Sequence, residues 1–85
     1  MHKKATYNLA VGLTLKNLHD ERHLERTKLA EALEISELSV NKIENGSERM
    51  TAGELILALE LFDIPWADFI ERVKTNLPKA EEMMV

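Results

Sequence analysis

Residues Leu24 to Gly46 read LERTKLAEALEISELSVNKIENG, and their spacing decides the fold. Leu29, Ala30 and Leu33 fall on one face at helical spacing, as do Val40 and Ile43 further on, which gives two apolar stripes interrupted near Glu34 and Ile35. Helices this short are stable only when packed against each other. Ala30 is small enough for a close crossing, Ile35 plugs the corner, and Ser36 is a good N-cap for the helix that follows. Gly46 can take the left-handed conformation that ends the second helix after Glu44 and Asn45. The stretch therefore predicts two helices joined by a tight corner.

Outward from this pair, three more helices are expected. Tyr7, Val11, Leu15 and Leu18 form a stripe within a segment from about Thr6 to Arg22, with Thr6 as its N-cap. Leu9 and Leu13 sit off that stripe, either as rim contacts or as part of a partner surface. Ahead of it, His2, Lys3 and Lys4 make a basic start that reads as a frayed tail or as a phosphate contact. Thr51 and Glu54 form a T-x-x-E capping box opening a helix that is apolar nearly all round from Leu55 to Phe62. One core cannot use so many faces, so Leu57 and Leu61, off the expected core stripe, are candidates for a subunit contact. Pro65 and Asp68 open the last helix, on which Trp66, Phe69, Ile70, Val73 and Leu77 share one face. That face reads as core and dimer seam rather than as a cofactor box. Pro78 is expected to stop the helix, giving a domain over residues 1–78, ending in the dimerisation helix, and a tail over 79–85 whose Met83 and Met84 can fold onto a partner.

Eighty-five residues without cysteine predict one small domain, with no room for a second, ligand-sensing one. With neither disulfides nor Cys/His metal spacing, oligomerisation is the remaining support for so thin a core. The lack of a long apolar run or signal-peptide pattern predicts a cytoplasmic protein with no membrane partner. Net charge is −4, but residues 1–49 carry eight Lys/Arg against eight Asp/Glu while residues 50–85 carry three against seven. The first part can therefore face a polyanion while the acidic remainder points away. Catalysis has little to stand on. His2, His19 and His23 lack ligand spacing, no Gly-rich phosphate loop is present, and Ser36, Ser39 and Ser47 have no setting for an activated nucleophile. No enzyme activity, metal or cofactor is expected.

The Leu29/Ala30/Leu33/Ile35/Val40/Ile43 pattern and the Ile43-Glu44-Asn45-Gly46 terminator make a helix-turn-helix that resembles the phage repressor and Cro family of DNA-binding domains, over roughly Val11 to Ile70. The resemblance implies an all-α, compact five-helix domain that binds double-stranded DNA. It makes Ser36 to Asn45 the recognition helix. With Val40 and Ile43 turned inward, Glu37, Leu38, Ser39, Asn41 and Lys42 remain outside. By the family's pattern, Glu37, Leu38, Asn41 and Lys42 address base edges. Asn41 can pair with adenine, Lys42 with guanine or a phosphate, and Leu38 with a thymine methyl; Glu37 either accepts from cytosine N4 or weakens binding. The family's backbone-positioning sites fall on Arg26, at the start of the second helix, and on Asn45, Ser47 and Arg49 after the recognition helix. Taken alone, Arg26 and Lys28 also read as partners of Glu31 and Glu25 on a surface helix. The resemblance further implies that His19, where the family commonly has arginine, bonds Glu44. Two corners where the family often has glycine hold His23 and Glu34, and Glu34 is expected to be the tighter. The implied function is a homodimeric transcription regulator, such as a repressor, on a near-palindromic operator. The competing expectation is a protein-interaction module such as the antitoxin subunit of a toxin pair, with a second protein as partner.

Overall fold

The computed structural model, which describes residues 3–84, folds the chain as α1 (Lys3–Glu21), α2 (Arg26–Leu33), α3 (Glu37–Glu44), α4 (Ala52–Phe62) and α5 (Trp66–Met83), with no strand among the described residues. The all-α expectation holds. Met1, His2 and Val85, and with them part of the expected basic start, lie outside the described residues.

The first helix carries the assembly, because α5 packs along it and α3 packs across it. A helix with two neighbours needs two apolar faces. Leu15 and Leu18 are fully buried, and so, nearly, are Leu9 and Leu13, which belong to the core and not to a rim or partner surface. Tyr7, expected on the core stripe, is 42% exposed instead. The helix also begins at Lys3, ahead of the expected cap at Thr6. Buried Thr14 satisfies its hydroxyl by donating to Ala10 O at 2.8 Å and accepting from Asn76 Nδ2 at 2.9 Å, a polar stitch between α1 and α5.

Both corners where the family often has glycine are left-handed, His23 with φ 52° and Glu34 with φ 60°. At Glu34 the turn closes through Ile35 N–H to Ala30 O at 3.1 Å, and half-buried Ile35 packs against the core. A third corner, Asp63 with φ 52°, had no glycine or asparagine to announce it. Beside it Arg22 donates to Phe62 O and lies 5.6 Å from the Phe62 ring centroid, fastening the end of α1 to the end of α4. The capping box of α4 is complete: Glu54 N–H donates to Thr51 Oγ1 at 3.1 Å and Thr51 N–H to Glu54 Oε1 at 2.9 Å.

The last helix differs most from expectation. Phe69 and Val73, expected at a dimer seam, are 1% and 5% exposed and belong to the core against α1. Nor does Pro78 stop the helix, which continues to Met83, so Lys79–Met83 are its last turn rather than a tail. Pro78 and Lys74 are both exposed, so water can take the Lys74 carbonyl that the missing N–H leaves free. Ala80, fully buried beyond the proline, anchors the extra turn.

Candidate nucleic-acid interface

The recognition helix α3 starts where Ser36 caps it, its hydroxyl accepting from Ser39 N–H at 3.0 Å. Helical spacing then sorts its residues. Val40 and Ile43 are fully buried against the core, whereas Glu37, Leu38, Asn41 and Lys42 are exposed, Leu38 at 62%. Ser39 is half-buried, with its hydroxyl 3.2 Å from that of Ser36, so it belongs to the cap as much as to the outer face.

After Glu44 the chain turns through Gly46, whose φ is +83°. Asn45 organises this loop by accepting from both Ser47 N–H and Ser47 Oγ–H. Ser47 N–H and Glu48 N–H also converge on Lys42 O at 2.8 and 3.2 Å, which closes the loop onto the end of α3. Asn45 and Ser47 are thus partly spent on shaping the loop, and Arg49 stands exposed at its far side.

Behind the helix lies an ionic node. Glu44, with a side chain only 4% exposed, has Oε2 2.5 Å from His19 Nε2 and accepts from Arg26 Nη2 through Oε1 at 3.1 Å. The His19 contact is close, but neither His19 Nε2 nor Glu44 Oε2 makes a regular hydrogen bond. The ring's other nitrogen, Nδ1, lies 3.2 Å from Leu24 O, so both ring nitrogens face oxygen acceptors. The expected His19–Glu44 pairing is present. Arg26 is different from expectation in one respect: the guanidinium expected at the DNA backbone is held by Glu44, and its Nε is buried without a hydrogen bond. No spacing in the sequence links Arg26 to Glu44, since they meet only when α2 and α3 cross.

A second contact escapes sequence reading. A Cβ built on Gly12 of α1 would lie 2.1 Å from Ile43 O, so the glycine is where α1 meets the end of the recognition helix. Of the expected subunit contacts, Trp66 is 54% and Leu61 37% exposed, while Leu57 and Ile70 are half-buried. Ile56, 56% exposed, adds an apolar side chain that the sequence did not single out.

Five helices, with a capped, outward-facing α3 held to α1 and α2 by a buried carboxylate, define a helix-turn-helix domain. The family model of the Cro/C1-type HTH DNA-binding domain matches residues 14–75, and the chain belongs to that family. It is also similar to the HTH-type transcriptional regulator PrpR of Mycobacterium tuberculosis (strain ATCC 25618 / H37Rv), 40% identical over 53 residues. That stretch is 62% of this chain but 11% of the relative, so the similarity concerns one segment of a much longer protein. No helix among the described residues is long and apolar enough to cross a membrane.

Proposed function

We propose that the chain is a sequence-specific transcription regulator, acting in the cytoplasm as a homodimer on a near-palindromic operator, by binding and without catalysis. The observation that carries this reading is the outward set on α3: Glu37, Leu38, Asn41 and Lys42 exposed together, one turn from the loop bearing Arg49. Asn41 suits adenine, Lys42 guanine, Leu38 a thymine methyl and Glu37 a cytosine amino group. Arg49, Ser47, Asn45 and the remaining donors of Arg26 are assigned to the phosphate backbone. The name of the mycobacterial relative favours regulation of transcription.

The homodimer reading rests on Leu61, Trp66, Leu57 and Ile70, whose exposed or half-buried apolar surface runs from α4 to the start of α5. Two copies joined there would address half-sites about 34 Å apart. The same exposed apolar residues also favour a second reading, a foreign protein subunit as in a toxin pair.

Selection of bound fragments from random DNA tests the main reading. Lys42→Ala and Asn41→Ala should each relax preference at one base position by about 1–3 kcal/mol, while Arg49→Ala should weaken binding to all sequences. If Arg49→Ala changes the preferred sequence and Lys42→Ala does not, the orientation assigned to α3 is wrong. A stoichiometric second protein retained on pull-down, with no enrichment of any DNA sequence, would favour the interaction module.

A further inference from the structure

A groove of about 300 Å³ runs between the end of α5, the middle of α1 and the recognition helix. Leu13 and Met83 supply its apolar lining, and Lys16, Asn17, Arg26, Asn41, Asn45 and Lys79 its polar donors. The charge division of the sequence directs the acidic C-terminal part away from DNA. The fold brings one cation of that part back, because α5 runs on through Pro78 and sets Lys79 on the groove beside Asn41 and Asn45. Fully buried Ala80 fixes the turn that carries it.

We infer that this groove takes a phosphate of the DNA backbone flanking the bases read by α3, with Lys79 and Lys16 as its cations. The inference rests on the DNA-binding reading of α3. Charge complementarity favours this occupant. Three cationic side chains line the groove, and its one carboxylate, Glu44, is already engaged by His19 and Arg26. Lys16 is shared with Asp20 at 3.2 Å, but both partners are about half exposed, and such an i,i+4 pair yields readily to a second oxyanion. Glu81 and Glu82, exposed on the same turn as Lys79, lie outside the lining. The groove also adjoins the outer face of α3, since Asn41 belongs to both. A phosphate there would extend the protein's footprint by a contact that neither the recognition helix nor the loop after it supplies.

The test is fluorescence anisotropy of the full chain on the duplex recovered by selection, between about 50 and about 200 mM salt. Lys79→Ala should lower the slope of log affinity against log salt by about 0.9 per protomer with the preferred sequence unchanged. Lys74→Ala, exposed on α5 but outside the groove, should leave the slope alone. Circular dichroism melting should show both variants folded. Equal slopes for Lys79→Ala and the unmutated protein, or equal losses from Lys79→Ala and Lys74→Ala, overturn the groove assignment while leaving the reading of α3 intact. Failure of the unmutated protein to bind any duplex removes both.

Discussion

Gly12→Ala separates two effects of opposite sign, and the structure decides between them. Gly12 lies inside α1, where alanine is favoured over glycine by about 1 kcal/mol. On propensity alone the substitution stabilises. But the added Cβ would sit 2.1 Å from Ile43 O and 3.1 Å from Glu44 C, both main-chain atoms of α3. No side-chain rotation relieves a backbone clash, so α1 and α3 must separate by about 1 Å, and overpacking of this kind costs about 1–3 kcal/mol or more. Separation would also disturb Glu44, which shares that backbone and depends on His19 of α1 at 2.5 Å. Set against the propensity gain of about 1 kcal/mol, the clash leaves an expected net loss of up to about 2 kcal/mol or more, with a fall in melting temperature of roughly 4–8 °C per kcal/mol for a domain this size. Gly53→Ala provides the control. It too lies in a helix, α4, but its added Cβ would find only Thr51 Oγ1, at 4.0 Å. That variant should be neutral or gain up to about 1 kcal/mol. Urea unfolding of both variants, followed by circular dichroism, measures the difference. A Gly12→Ala protein as stable as Gly53→Ala would refute the close approach of α1 to the recognition helix.

Glu44→Ala should cost about 2–4 kcal/mol in urea unfolding, at the lower end of what breaking a buried pair costs, because the Arg26 side chain is 39% exposed and regains water; a loss under about 0.5 kcal/mol would mean that the node does not hold α3. At the last residue of α1, the hydrogen bond from Arg72 holds the Glu21 carboxyl below its ordinary value of 4.5. A carboxyl lower in the folded than in the unfolded state contributes stability above its unfolded value and loses it as pH falls through the folded one, so the difference in melting temperature between the unmutated protein and Arg72→Met should shrink as the pH drops below about 4.5. A difference that is constant across that range, or grows on acidification, contradicts the pairing. Leu61→Glu, at a site 37% exposed, should give a folded monomer with weakened operator binding, whereas Val73→Glu should unfold the protein because Val73 is core; sedimentation and circular dichroism distinguish the two outcomes, and a Leu61→Glu dimer would move the subunit contact elsewhere.

What was legible in the sequence follows from the range of the interactions involved. Caps depend on neighbours within a few residues, so Ser36, Thr51 with Glu54, and Gly46 carried their own signals, whereas the corners at His23 and Glu34 were expected from the family resemblance. The inward face of α3 was equally plain, because one neighbour surface and one helical period fix Val40 and Ile43. The period fails as a guide where a helix serves two neighbours. On α1 it favoured the Tyr7 stripe and set Leu9 and Leu13 aside, although both faces are needed once α3 and α5 lie against it. On α5 it grouped Phe69 and Val73 with Trp66 and Ile70 as a seam, but a stripe has a centre and a flank, and only the tertiary contact says which residues occupy each.

Proline at position 78 shows the same principle in the other direction, since its local cost is real but a distant surface decides the outcome. The lost N–H faces solvent, and burial of Ala80 against the rest of the fold retains the turn beyond it. That turn carries Lys79 to the groove beside α3, reversing the orientation that the charge division implied for the end of the chain. Arg26 moves the opposite way. Its position at the start of α2 suits a phosphate contact, yet the crossing of α2 and α3 gives one of its nitrogens to Glu44. Arg26 sets a positive charge 3.1 Å from the Glu44 carboxylate beside the outer face of α3, where an unpaired acid would repel phosphate. Arg26 thus links the fold to the proposed site, since it bonds Glu44 at the end of the recognition helix and also lines the groove.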